Sequence, residues 1–376
     1  GASPPNLSAA APCSSRQGPP PASQETPQQS PGSSRQVVGT FSAARLPGDE
    51  ADSGYPKCAF DSLGEKDMPC IEVVSSEIMA EIQNPANDEA YFVLPSQLNG
   101  AEYPSHLKVV SSIEDYKSDN TGGPRGQLAV HPAAGQFMLD NAACTFRAQG
   151  INAVDVFLRR VNAAILEAGL QGQKLGVTNG YLTMPTPKSA EAAALILEAC
   201  RAHAHTLRPL VMTGVPACGL RPDKGAFSSC THSTHLFYAS AVPINRYTNG
   251  IGVVCKAFGD EDVQKFQLHV AEVVLVAQYY GALQIAACRA AAAGRKAKVF
   301  LMPLGGGVFN NPWEVIVKAM ALAAELLAEE EHSRLDIKAL AFHRGTSRRT
   351  EDVPERVMLT QLLRRHRKLA GGGCET

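Results

Sequence analysis

Residues 299–320, VFLMPLGGGVFNNPWEVIVKAM, pass from an unbroken apolar run through three glycines into a helical spacing. Val299 to Met302 predict a buried strand that Pro303 stops. Val315, Ile316, Ala319 and Met320 recur at helical intervals behind Pro312, which suits a first helical position. The same switching of period starts at Ile71. EVVSSEIMAEI predicts a strand or short helix, EAYFVLPSQL a buried strand, and GQFMLDNAA another strand ending in small residues. NAVDVFLRRVNAAILEAGL sets Val154, Phe157, Leu158, Val161 and Ile165 on one helical face. KLGVTNGYLTMP predicts a hairpin, because Asn179-Gly180 favours a type I′ turn. SAEAAALILEACRAHAHTL predicts an alanine-rich helix capped by Ser189. RPLVMTGVPA and LFYASAVP predict strands, residues 260–293 a long helix, and DIKALAFHR a closing strand. The helix behind Pro312 is expected to run to about Glu331. Strands and helices alternate, which predicts an α/β fold: a mixed, largely parallel sheet in three α/β/α layers.

Composition sets the boundaries. Residues 1–55 are dominated by Pro, Ser, Gln, Gly and Ala, too poor in apolar surface to order themselves, and are expected to form a disordered arm. A catalytic or binding domain is expected over 56–345, the excess over a small domain falling in 170–260, with a basic tail over 346–376. That tail reads as a solvated charged face. With 35 basic against 36 acidic residues the net charge is -1, which gives no global pull toward nucleic acid or membrane. VAEVVLVAQYYGALQIAAC carries Glu272, Gln278 and Gln284 and reads as a buried helix, not a membrane span. Ten cysteines lie without CxxC pairing and no targeting pattern is seen, so reduced thiols and a cytoplasmic or nuclear setting are expected. Cys230, His232 and His235, with Cys218 upstream, have metal-ligand types but no fourth spaced ligand, so no metal and no cofactor is expected. The GxGxxG fingerprint of dinucleotide dehydrogenases is absent.

Strand, glycine loop and helix start together make a phosphate cradle, because bare amides point outward and the helix end adds partial positive charge. Gly305, Gly306 and Gly307 form one such loop. LDNAACTFRAQGINAVDVFL holds the second, running from Asn141 past Gly150 into a helix. DNAACTFRAQGINAVDVFLRRV is similar to the strand–NAAN–glycine loop–helix element of macrodomains, the ADP-ribose-binding fold. MPLGGGVFNNPWEVIVKAM resembles that family's second phosphate loop, and LDIKALAFHR sits where the family places its last strand. LPSQLNGAEYPS and IEDYKSDNTGGPRGQLAVHP resemble an atypical branch, with motifs Ser-Gln-Phe-Asn-x-x-Glu and Asp-x-Thr-Gln-Gly-Pro. Here they read Ser96, Gln97, Leu98, Asn99 and Glu102, then Asp119, Thr121, Gly122, Gly123 and Pro124. The branch includes bacterial effector enzymes that remove ADP-ribose from ubiquitin. Cys144 stands where NAAN has its second Asn, and no Gln-Glu-Glu follows the glycine loop. Cleavage of poly(ADP-ribose) is therefore not implied.

The resemblance implies ADP-ribose as ligand and an ADP-ribosylated protein, ubiquitin among the possibilities, as partner. Gly305, Gly306, Gly307 and Val308 would offer amides to the diphosphate, and Phe309 would cover the ribose or serve as a core aromatic. Asn310 belongs to the same loop. Gly150 and Ile151 would line the other face of the phosphates, with Asp140 and Ala142 beside them. Asn141 would either bond a ribose hydroxyl from the strand end or serve as a turn residue, and Asn152 either assists or caps its helix. Asp155 either orients the attacking water or answers the helix dipole. Gln97 and Glu102 would read the adenine or hold the fold by hydrogen bonds, and Asn99 and Asp119, from the same two motifs, join them as ligand-binding candidates. A non-catalytic reader of ADP-ribose stays open beside the hydrolase.

Overall fold

A computed structural model describes residues 41–42, 71–105, 107–146, 150–218, 220–221, 226–227, 232–244, 261–341 and 359. The central strands are apolar on both faces, the mark of a sheet covered on each side. In Tyr91–Pro95 (β3), Tyr91 and Val93 face one core while Phe92 and Leu94 face the other. Ala297–Leu301 (β10) divides likewise, with Val299 and Leu301 on the first side and Phe300 on the second.

Five parallel strands form the body of the sheet: Glu72–Ser75 (β2), β3, His232–Ala239 (β9), β10 and Leu335–Ala341 (β11). Leu210–Ala217 (β6) pairs antiparallel with β9, and Phe41–Ser42 (β1) pairs antiparallel with β6. The order is β1-β6-β9-β3-β10-β11-β2. Gly176–Thr178 (β4) and Tyr181–Thr183 (β5) form the expected hairpin, with Asn179 and Gly180 both at positive φ, as a type I′ turn demands. Leu220–Arg221 (β7) and Ala226–Phe227 (β8) make a second small hairpin.

Helices cover both faces. On one side lie Glu261–Ala293 (α6) and Trp313–Glu325 (α7), packed on β3, β9, β10 and β11 through Val276, Tyr279, Leu283, Ile316 and Met320. On the other lie Ile78–Gln83 (α1), Gly122–Leu128 (α2) and Pro132–Asn141 (α3), joined to Phe92, Leu94, Leu236 and Phe300. Asp155–Glu167 (α4) and Ala190–His203 (α5) share a further core with the hairpin and the first half of α6. Ser189 accepts from Ala192 N–H at 3.2 Å and caps α5 as expected. Glu329–Ser333 (α8) is separate, so the helix behind Pro312 stops at Glu325, short of Glu331. Pro312 is its N-cap rather than its first helical residue. α6 is long and apolar enough to cross a membrane, yet most of it lies inside the core.

GQFMLDNAA is not a strand. It is the body of α3, started by Pro132 and by His131, whose Nδ1 accepts from Ala133 N–H at 3.2 Å. Its buried residues, Ala134, Gly135, Met138 and Leu139, fall four apart on one helical side, and Phe137 is turned outward. Strict alternation, the signature of a half-buried strand, is absent. The 170–260 stretch also proves to be more than an insertion, since it supplies β6 and β9 to the central sheet.

Candidate functional site

β9, β3 and β10 are adjacent and parallel, so the chain leaves all three at one edge, at Ser240, Ser96 and Met302. In open α/β sheets that edge is where ligands lie. The loop from Met302 to Asn311 stands there with three bare glycines. Gly305 sits at φ 74° and Asn310 at φ 57°, and the Asn311 amide returns to Gly305 O at 3.0 Å. Asn310 N–H closes the tip on Gly307 O at 3.1 Å. Asn311 is buried, and its Nδ2 donates to Val242 O at 2.9 Å, while Ile244 N–H reaches Phe309 O at 3.0 Å. The loop is thus anchored to the segment that follows β9.

Within this frame the amides of Gly305, Gly307 and Phe309 donate to no acceptor among the described residues. Gly306 N–H makes only a long contact of 3.4 Å with Pro303 O. A Cβ on Gly306 would lie 3.1 Å from Ile316 Cδ1 in the first turn of α7, so the loop folds over that helix start. A Cβ on Gly307 would meet nothing within 4 Å. Val308 is exposed at the tip and Asn310 points outward. Phe309 is half-buried, packs on the core, and stands 5.7 Å from the Tyr181 ring, so it serves as core edge.

The loop after β3 forms the second wall. Leu98 joins it to its neighbours: its N–H donates to Gly180 O at 3.0 Å and its carbonyl accepts from Ala153 N–H at 2.8 Å. Asn99 is fully buried, and both ends of its amide are engaged, Nδ2 with Ala143 O and Oδ1 with Ala101 N–H. Gln97 is buried too. Its Nε2 donates to Tyr103 O at 2.8 Å, but its Oε1 has no partner among the described residues. Glu102 donates its N–H to the Tyr116 hydroxyl at 3.0 Å. Burial pushes the Glu102 carboxyl well above the usual carboxylate range, and the Asp119 charge adds to the shift. A Cβ on Gly123 would fall 2.7 Å from Glu102 Oε1 and 2.1 Å from Pro95 O, so only glycine fits at that point of α2. Asp119 Oδ1 accepts from Thr121 N–H at 2.8 Å and from its hydroxyl at 2.7 Å, an Asx turn leading into α2.

The α3–α4 connection is the third part. Because GQFMLDNAA is helical, Asn141 is the last residue of α3 and not a strand end, and its Nδ2 donates to Phe137 O at 2.8 Å. Asp140 is exposed, its Oδ1 accepting from Gln136 at 2.9 Å. Buried Ala142 bridges to Ile151: Ile151 N–H donates to Asn141 O at 2.7 Å and Ala143 N–H to Ile151 O at 3.2 Å. Gly150 lies exposed where a Cβ would strike Ala143 N at 2.5 Å. Asn152 Oδ1 accepts from Val154 N–H at 3.1 Å, tightening the turn before α4. Asp155 is the exposed first residue of α4, its carboxyl raised by partial desolvation and lowered in part by Arg159 one turn on.

All three loops therefore meet at one edge of the sheet. Asn311, whose buried amide ties the glycine loop, is the residue that sequence reasoning missed. Its only signal was a second Asn in Asn-Asn-Pro, and nothing in that spacing says which of the two turns inward. Among the described residues no group of three or more His, Cys, Asp or Glu could hold a metal ion. His232 bonds Ile82 O at 2.8 Å and His235 pairs with Glu89, while Cys230 lies outside the described residues.

No protein-family model matches the chain, and no curated protein matches it either. Solved structures of poly(ADP-ribose) glycohydrolases do align with it. One from Thermomonospora curvata is 13% identical with a TM-score of 0.37, covering 78% of this chain and 77% of that one. One from Deinococcus radiodurans, in complex with ADP-ribose, is 13% identical with a TM-score of 0.34, covering 80% and 84%.

Proposed function

We propose that the protein is an ADP-ribosyl hydrolase that releases mono-ADP-ribose from a modified protein side chain. The observation that carries this reading is the 302–311 loop, which presents the free amides of Gly305, Gly307 and Phe309 in front of the α7 N-terminus. An anionic diphosphate is the ligand that such a surface suits, because each oxygen accepts from a preset donor and the helix end adds positive potential. The Glu102 carboxyl would form a polar end for the base, with Gln97 Oε1, buried and without a partner among the described residues, behind it. Phe309 would pack on the ribose between. Asp155 would orient water toward the anomeric carbon. The carbon–side-chain bond then breaks, the side chain leaves with a proton, and the sugar keeps the water oxygen. Arginine-linked ADP-ribose on a carrier such as ubiquitin is the substrate to try first.

A release assay across Arg-, Ser- and Glu-linked ADP-ribose tests the reading, with liberation of ADP-ribose from at least one linkage expected. Two observations favour a reader of ADP-ribose instead. The Asn141 amide is engaged in its own helix, and Asp155 stands where a first-turn acid would answer the helix dipole. Binding without release from any linkage would establish the reader.

A further inference from the structure

Two successive residues of α6, Gln278 and Tyr279, are fully buried and reach the strand ends from beneath. Gln278 Oε1 accepts from Ser240 N–H, just past β9, at 3.1 Å, and its Nε2 donates to Leu207 O at 3.4 Å. The Tyr279 hydroxyl donates to Met302 O at 2.7 Å and accepts from Leu304 N–H at 2.8 Å. Between those two groups stands Pro303, which has no N–H and ends the β10 ladder at Leu301. Met302 and Leu304 are both buried, so their polar groups have no water to turn to. One phenol thus satisfies the carbonyl on one side of the proline and the amide on the other. Burial pushes its own ionisation far up, so it stays a donor at ordinary pH.

We propose that Tyr279 is the positioning residue of the glycine loop: its hydroxyl fixes Leu304, hence where the Gly305, Gly307 and Phe309 amides stand, and so sets affinity for a diphosphate. The loop-fixing half stands on the geometry alone, whereas the affinity half rests on the ADP-ribose reading above. Tyr238 is the built-in control. It is an equally buried tyrosine, on β9, whose hydroxyl has no partner among the described residues.

The experiment compares Tyr279→Phe and Tyr238→Phe in the full chain. Amide hydrogen exchange over 302–309 is followed without ligand, and calorimetry is run with ADP-ribose and with adenosine. Expected for Tyr279→Phe are exchange faster by about ten-fold or more at Leu304 and the glycines, and ADP-ribose affinity weaker by about ten-fold. Adenosine affinity should shift by less than about two-fold, because it carries no diphosphate. Tyr238→Phe should change none of these. Unchanged exchange in Tyr279→Phe, or an equal change in Tyr238→Phe, would overturn the proposal. Faster exchange in a protein that never binds ADP-ribose would uphold the loop-fixing role and sink the ligand reading alone. Should Tyr279→Phe not fold, the wild type still decides. Slow exchange at the Leu304 amide supports the proposal, and exchange as fast as at exposed Gly307 contradicts it.

Discussion

At the scale of single residues, Asp155 separates a catalyst from a reader. It opens α4, four positions before Arg159, exposed and with a carboxyl raised by partial desolvation. As the group that orients water, Asp155→Ala should lower turnover by roughly 100-fold, with ADP-ribose affinity changed far less. If it only answers the helix dipole, the same change should cost about 0.3–1 kcal/mol of stability and leave turnover intact. Rate, affinity and melting temperature measured on one variant distinguish the two. Sequence made the glycine loop and the helix start behind Asn-Asn-Pro legible as elements. It could not say which polar atoms the fold itself would engage. Asn99 and Asn141 looked as available as Gln97, yet both are hydrogen-bonded within the fold, while the buried Gln97 Oε1 has no partner among the described residues. Tyr279 gave no signal at all, since its two partners lie more than twenty positions away.

At the scale of elements, period decided most assignments. The I′ hairpin, the Ser189 cap and the twin-faced strands follow from local chemistry, and each stands where expected. GQFMLDNAA failed because three neighbouring apolar residues fit either period, and the proline that starts the helix lies three positions upstream of it. A second element-level feature concerns β9 and the bulge in β6 between Met212 and Val215. There His235 Nδ1 accepts from Gly214 N–H at 3.0 Å, Nε2 meets Glu89 Oε2 at 3.0 Å, and the ring stacks on Tyr91 at 4.3 Å. Burial lowers the His235 pKa from 6.5; Glu89 opposes the shift, and Arg289 and Arg295 add to it. His205 and His332 are lowered as well, also chiefly by burial. The unfolded imidazoles then bind protons at a higher pH than the folded ones, so stability is full above pH 6.5 and falls as pH drops through the folded values. Because the raised Glu102 carboxyl pulls the other way, the test is the difference: the wild-type midpoint should fall relative to that of His235→Asn from about pH 7.5 to about pH 5.5, and a rise in that difference would contradict this.

At the scale of the whole molecule, the alternation of strands and helices gave the α/β class, but not the order of the sheet. Tyr91 pairs with His235 across a long stretch of chain, and no periodicity encodes such a partner. That pairing puts the ends of β9, β3 and β10 side by side, which brings the glycine loop, the Gln97–Glu102 segment and the α3–α4 connection to one edge. The measurement that tests the central claim most directly is calorimetry with ADP-ribose on the wild type and on Gly307→Val. Gly307 suits the purpose better than Gly306, because a Cβ there meets nothing among the described residues within 4 Å, whereas Gly306 faces Ile316. The expected result is that the wild type binds ADP-ribose more tightly than adenosine, and that Gly307→Val loses this binding with its melting temperature unchanged. No binding by the wild type, or full affinity in the folded Gly307→Val protein, would contradict a diphosphate site at this loop.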